Sequence, residues 1–198
     1  MLDDTQACVN TLNLMLEKRA RPKVTLEFFR ENFTFPARRF YRLLGMDVPD
    51  SEWDALAKEY HDTYALQPKR IHPEAVAALE YAKAKGVGQS IISALRQDLL
   101  DADVEKYAVK HYFDCIYGSD NLDGASKLDR ALELMTRLDG VDPVVIGDSF
   151  HDKEIADALK VRCVLCGTGS HSARRLRSVA PTGDTLLEAV KLALGDIN

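Results

Sequence analysis

Two aspartates four residues apart, Asp148 and Asp152, follow the apolar run Val144-Val145-Ile146-Gly147. The run reads as a buried strand that delivers carboxylates to its carboxyl end. Ligands bind at that edge of open α/β sheets because the loops there diverge. Carboxylate oxygens suit a hard cation, and Mg²⁺ takes one or two of them while water and substrate phosphate fill its other positions. Phosphate chemistry is the first expectation. A second role is open to the same residues, because Ser149-Phe150-His151-Asp152 has the form of a helix capping box. The two roles are compatible, with Asp148 the better direct ligand and Asp152 holding the metal or a metal-bound water. His151 reads as a pocket or surface residue, since imidazole suits softer metals than Mg²⁺.

Two further residues could hold an anion. Ser93 ends an apolar segment, Gly88 to Ser93, and a helix is expected to begin near Gln97 or Asp98. A hydroxyl there, with the backbone N–H of Ala94 beside it, can bind a phosphate oxygen, although taken alone Ser93 reads more readily as an ordinary turn or cap serine. Gly124-Ala125-Ser126-Lys127 looks like a helix start with Ser126 as N-cap. A lysine in the first turn opposes the positive end of the helix dipole, a placement that makes sense if an anion sits between them. A solvated surface lysine is the alternative.

These residues need elements to position them, and the chain has two regions of different pattern. From about Thr5 to Gln67 apolar residues recur at helical spacing, as in Val9, Leu12 and Leu16; Thr25 to Phe29, Pro36 to Leu44 and Ser51 to Tyr64 supply three more helical segments. After Pro68 the pattern alternates. A helix over Pro73 to Lys85 stops at Gly86, and strands are expected at Val87 to Ser93, Phe113 to Tyr117, Pro143 to Gly147 and Val161 to Cys166, with helices between. That predicts an α/β fold with a parallel, Rossmann-like sheet flanked by helices. The expected division is a small helical bundle over residues 1–67, with 1–4 a connection, and a core domain over 68–198. Gln67-Pro68 marks the boundary, because the residue before proline leaves helical space.

Composition narrows the partners. The 198 residues carry a net charge of −5 with pI near 5.6, so there is no basic footprint for nucleic acid or an anionic membrane. No apolar stretch is long enough to span a bilayer and no secretory signal opens the chain, which makes the cytoplasm the default expectation. Cys8, Cys115, Cys163 and Cys166 form no disulfide framework. Cys163 and Cys166 lie three apart in an expected strand, so they face opposite sides and read as core residues.

Serine after a strand, lysine at a helix start and Gly-Asp-x-x-x-Asp after a strand occur here in that order. In this the whole chain resembles the haloacid dehalogenase-like superfamily of hydrolases, closest to its phosphoglycolate phosphatase-like branch. The resemblance matches Ser93 to the second family motif, Lys127 to the third and Asp148 with Asp152 to the fourth, and makes the helical region a cap domain. It implies a Mg²⁺-dependent phosphatase of a small phosphorylated metabolite. In that mechanism an aspartate attacks phosphorus and the aspartyl-phosphate is then hydrolysed, with catalytic roles for Ser93, Lys127 and Asp148. Arg38, Arg39 and Tyr41 are candidate substrate selectors in the cap.

The family nucleophile belongs to an Asp-x-Asp-Gly-Thr motif at the end of a central first strand. Met1-Leu2-Asp3-Asp4-Thr5 resembles the residues that lead from that motif into the cap, and Asp3-Asp4 has no preceding strand to place it at the sheet edge. The expectation is that about ten residues upstream carry the strand and the nucleophile, and that these 198 residues alone are inactive. Without that strand its two neighbours would keep unpaired backbone groups, at roughly 1–3 kcal/mol for each buried group. A catalytically inactive phosphate-binding or interaction protein on the same fold is the alternative. A receiver-like or nucleotide-binding domain fits less well, because no Gly-rich phosphate loop follows a strand.

Overall fold

The structure is a computed structural model that describes residues 1–119, 127–138 and 141–197. Four helices make the N-terminal region: α1 (Thr5–Lys18), α2 (Leu26–Asn32), α3 (Ala37–Leu43) and α4 (Asp50–Ala65). The apolar spacing read from the sequence becomes one cluster in which Val9, Leu12, Met15 and Leu16 of α1 meet Phe29, Phe40, Tyr41 and Leu56. Thr25 caps α2 by accepting the Phe28 amide. The two ends of the region return side by side, because β1 (Leu2–Asp3) pairs antiparallel with β2 (Arg70–Ile71). Asp3 therefore does lie in a strand, contrary to the sequence reading. That strand belongs to neither parallel sheet, and its side chain accepts from Arg70 at 2.7 Å.

The rest of the chain alternates as expected. It runs α5 (Ala75–Ala84), β3 (Ser90–Arg96), α6 (Gln97–Lys106), β4 (Cys115–Ser119), α7 (Lys127–Met135), β5 (Val144–Gly147), α8 (Phe150–Leu159) and β6 (Arg162–Cys166). A short α9 (Ala173–Leu176), β7 (Thr182–Gly183) and α10 (Leu186–Leu194) come after it, all unread in the sequence. β3 pairs parallel with β4, and β5, β6 and β7 form a second parallel set. On one side, Ala75, Ala78 and Ala82 of α5 pack on Ala189, Val190 and Ala193 of α10 and on Val164 and Cys166 of β6. Small side chains let two helices and a strand approach closely there. α6 supplies Leu100 and Val104 to a third cluster with Ile91 and Leu79.

Two strand boundaries are corrected. β3 begins at Ser90 rather than Val87, and the Asp114 carboxylate accepts the Gln89 amide just before it. It also continues past Ser93 to Arg96, with its register against β4 interrupted between Ile92 and Arg96. Ser93 thus sits at a bulge inside the strand rather than at its end. β4 likewise starts two residues later than Phe113 and ends at Ser119. All four cysteines are free. No helix among the described residues is long and apolar enough to cross a membrane.

Candidate functional site

The N-terminus of α8 carries the two aspartates in the geometry that their spacing suggests. Ser149 is the N-cap and forms a full capping box with Asp152. Asp152 is 4% exposed, and its carboxylate meets four donors. Oδ2 accepts the Asp148 and Ser149 amides at 3.0 Å each and the Ser149 hydroxyl at 2.7 Å, while Oδ1 accepts Lys127 Nζ at 2.5 Å. Burial opposes the charge on both partners of this pair. For Asp152 the Lys127 charge and hydrogen bonds outweigh burial and hold the carboxyl below its ordinary value. Burial would likewise depress the Lys127 ammonium, but the Asp152 carboxylate and the field of Asp148 keep it above the usual lysine range. The anion facing this first-turn lysine is therefore Asp152.

Asp148 is held from the other side. Its Oδ2 accepts the Ser170 amide at 2.5 Å, and its carbonyl accepts the His171 amide at 3.2 Å. A Cβ on Gly169 would collide with the Asp148 carboxylate, and one on Gly147 would collide with the Asp152 side chain. Glycine is needed at both positions for this close approach. Asp148 Oδ1 makes no hydrogen bond among the described residues, and no group of three or more His, Cys, Asp and Glu side chains gathers to hold a metal there. One carboxylate with an unengaged oxygen on a cavity fits a hard cation that keeps most of its shell as water and phosphate oxygen.

Ser93, Ala94, Lys127, Asp148 and Asp152 all line one cavity of about 620 Å³. The Ser93 hydroxyl accepts the Leu95 amide at 3.1 Å. Lys127 is the first residue of α7, as expected, whereas Gly124, Ala125 and the expected cap Ser126 lie outside the described residues. Of the suggested selectors, Tyr41 lines the cavity, but Arg38 does not. Arg38 pairs with Asp50, donates to the Val48 carbonyl at 2.7 Å and lies over the Trp53 ring. Arg39 does not line it either and is exposed.

The cavity also runs between β3 and β5, touching Ser90 to Leu95 on one side and Val144, Ile146 and Gly147 on the other. Among the described residues each of these strands has a partner along one edge only, β4 for β3 and β6 for β5. Strands of a parallel sheet are normally covered on both faces, yet Ile146 in β5 is 37% exposed. The gap thus has the setting of a strand position with backbone edges on both flanks.

Further residues to which the sequence assigned no role in the site, together with His151, converge here. Asp4 lines the cavity and accepts the Tyr64 hydroxyl at 2.5 Å, which joins the start of α1 to the end of α4. Burial lifts its carboxyl above the ordinary value; the Tyr64 hydrogen bond works against that and the field of Asp148 adds to it. Over the carboxyl ends of β5 and β6, Phe35 stacks on His151 with ring centres 4.8 Å apart, and the Phe33 carbonyl meets His171 Nε2 at 2.9 Å. Arg30 donates to the Thr168 and Gly169 carbonyls at 3.2 Å, and Glu31 binds Ser172 and Arg174. No local motif signals these contacts, since their partners are 60 to 143 residues apart.

Comparison with known proteins fits this arrangement. The family model described as haloacid dehalogenase-like hydrolase matches residues 1–166. A phosphoglycolate phosphatase of Pseudomonas aeruginosa is 24% identical over 195 residues, covering 92% of this chain and 71% of that protein. A crystal structure described as a predicted phosphatase from Clostridium acetobutylicum superposes with a TM-score of 0.83 at 18% identity, over 98% of this chain and 94% of the other. A haloacid dehalogenase-like family hydrolase from Streptococcus pneumoniae gives 0.74 at 16% identity, over 98% and 93%.

Proposed function

Because the chain belongs to the haloacid dehalogenase-like hydrolase family, we propose that it is the greater part of a Mg²⁺-dependent phosphatase of a small phosphorylated metabolite. The observation that carries this reading is the convergence of Ser93, Ala94, Lys127 and Asp148 on one cavity. The Ser93 hydroxyl and the Ala94 amide hold oxygens of the transferring phosphoryl group. Lys127 offsets its charge, kept cationic by Asp152. Asp148 would hold the metal directly, and Asp152, with its oxygens already engaged, would do so through water. The bound Mg²⁺ would supply charge neutralisation at the phosphoryl oxygens. Residues 1–67 act as a cap over the core of residues 68–198, excluding water and contacting the leaving group.

The nucleophile in this reading is an aspartate on a strand that occupies the gap between β3 and β5, supplied from outside these 198 residues. Its carboxylate oxygen bonds to phosphorus as the phosphorus–ester oxygen bond breaks, and the departing oxygen takes a proton from the second aspartate of the same Asp-x-Asp-Gly-Thr motif, the general acid that the family resemblance implies. Water then cleaves the acyl phosphate, releasing inorganic phosphate and restoring the carboxylate. The 198 residues alone are accordingly expected not to turn over. The gap supports this reading, because a parallel strand there would pair two open backbone edges.

Two measurements test the proposal. The natural protein should exceed the 22.1 kDa of these residues in intact mass; a mass equal to it removes the upstream nucleophile. The natural protein should also hydrolyse small phosphomonoesters with Mg²⁺ and lose this on Asp148→Ala. Absence of turnover across a phosphomonoester panel would leave a phosphate-binding protein instead.

A further inference from the structure

We propose that the phosphomonoester bound at this site has an uncharged, apolar leaving group, an aryl or alkyl alcohol rather than a hydroxy acid, because aromatic rings line the cavity and, among the described residues, no Lys or Arg besides Lys127 does. The inference rests on the phosphatase reading above and adds the class of substrate. The phosphoryl end is assigned to Ser93 and Lys127, so the ester end faces the helical region that covers the carboxyl ends of β5 and β6. That region presents aromatic side chains there. Phe35 stacks on His151, and Phe33 lies 5.9 Å from the His171 ring. Both phenylalanines line the cavity, together with Ala37 and Tyr64.

The charges on the lining argue the same way. Among the described residues Lys127 is the only Lys or Arg on it, and Asp152 already engages that ammonium. Its acidic members are Asp103, paired with Lys69, Asp152, paired with Lys127, and Asp4 and Asp148, which pair with no Lys or Arg among the described residues. Arginines near the loop are committed elsewhere: Arg30 to two backbone carbonyls, Arg38 to Asp50 and the Val48 carbonyl. Positions 120–126, 139 and 140, outside the described residues, contain no Lys or Arg. Of the histidines on the lining, His72 accepts the Glu74 amide and His61 packs edge-on against Tyr60. A carboxylate on the leaving group would give up its water with no unengaged lysine or arginine among the described lining residues to meet it, and would stand beside Asp4 and Asp148. An apolar group gains by contact with Phe33 and Phe35.

Binding calorimetry on the natural full-length protein with Mg²⁺ tests this without requiring turnover. The probes are benzylphosphonate, phosphonoacetate and inorganic phosphate. Benzylphosphonate should bind at least about 10-fold more tightly than phosphonoacetate, the scale on which a few apolar contacts discriminate. Phe35→Arg should narrow that ratio by about 10-fold, and Phe35→Leu should keep most of it. Equal or tighter binding of phosphonoacetate by the unaltered protein overturns the inference, while phosphate binding that disappears in Lys127→Ala would leave the phosphatase reading standing. If none of the three probes binds, both fall together.

Discussion

Lys127→Met tests the electrostatic centre of the site. The substitution keeps most of the stem and removes an ammonium 2.5 Å from Asp152, in a pair whose side chains are 18% and 5% exposed. Deleting one partner of a buried pair costs about 3–5 kcal/mol, because the remaining charge stays out of water. Asp152 keeps three other donors, the Asp148 and Ser149 amides and the Ser149 hydroxyl, which places the loss near the lower end, at about 3 kcal/mol. In a chain of this size each kcal/mol moves the midpoint by roughly 2–4 °C, so Tm should fall by roughly 6–12 °C. Adding Asp152→Asn removes the stranded charge, and the double-mutant cycle should return a coupling of about 1–3 kcal/mol. The pH dependence has a definite sign. The Asp152 carboxyl is depressed in the folded state, so its contribution is complete above its unfolded value of about 3.9 and disappears as pH falls through the folded value. Lys127 is raised, so its contribution persists below its unfolded value of about 10.4 and disappears as pH rises through the folded one. The deficit of Lys127→Met should therefore be flat across neutral pH and close in strong acid. A loss under about 1 kcal/mol, or one equally large at pH 2 and pH 7, would refute the argument.

Asp4→Asn should stabilise the protein at neutral pH by on the order of 1 kcal/mol, because the buried carboxyl is raised and its ionisation is a cost once pH exceeds the folded value. Urea midpoints at pH 7 and pH 3 check this, since the gain should vanish in acid where the wild-type group is already neutral. Gly169→Ala should displace the Asp148 carboxylate, costing about 1–3 kcal/mol and abolishing any rise in Tm on adding Mg²⁺. An unchanged Mg²⁺ response would exclude Asp148 as the ligand. Arg30→Ala removes donors to the Thr168 and Gly169 carbonyls, so hydrogen exchange should quicken at Ser170 and His171 with little change at α10. Reductant should leave Tm unchanged, since all four cysteines are free and burial raises the Cys163 thiol to about 11.

The sequence made legible those features that local chemistry determines. Ser149 and Asp152 are three residues apart, so a capping box is dictated by backbone geometry alone, and a lysine opening a helix is conspicuous against the dipole. The helical region was legible because its buried residues keep helical spacing through α1 to α4. The extension of β3 past Ser93 was not, because it depends on tertiary contacts such as the Gln97 side chain accepting the Gly118 amide at 2.5 Å. Nor was β7, whose two residues are too few for any periodicity and are recruited by pairing with Leu165 and Cys166. The place of Asp4 on the cavity was not legible for a related reason: it depends on Tyr64, sixty residues away.

These two classes of contact meet at Asp148, and together they hold its carboxylate in the way the proposed metal-ligand role would require. The local half is the capping box, in which Asp152 holds the Asp148 amide at 3.0 Å and so fixes the backbone at the tip of β5. The non-local half is the Ser170 amide, which fixes one carboxylate oxygen from a loop that Arg30 ties to α2. Backbone and side chain are thus set independently, and Oδ1, which makes no hydrogen bond among the described residues, would need no rearrangement to receive a cation, the condition under which a fixed charge is most effective in catalysis. In the proposed reading the helical region therefore supports Asp148 as well as facing the leaving group. Loosening the contact of α2 with residues 168–171 should weaken any Mg²⁺ binding by Asp148, since the Ser170 amide that holds its carboxylate lies in that loop.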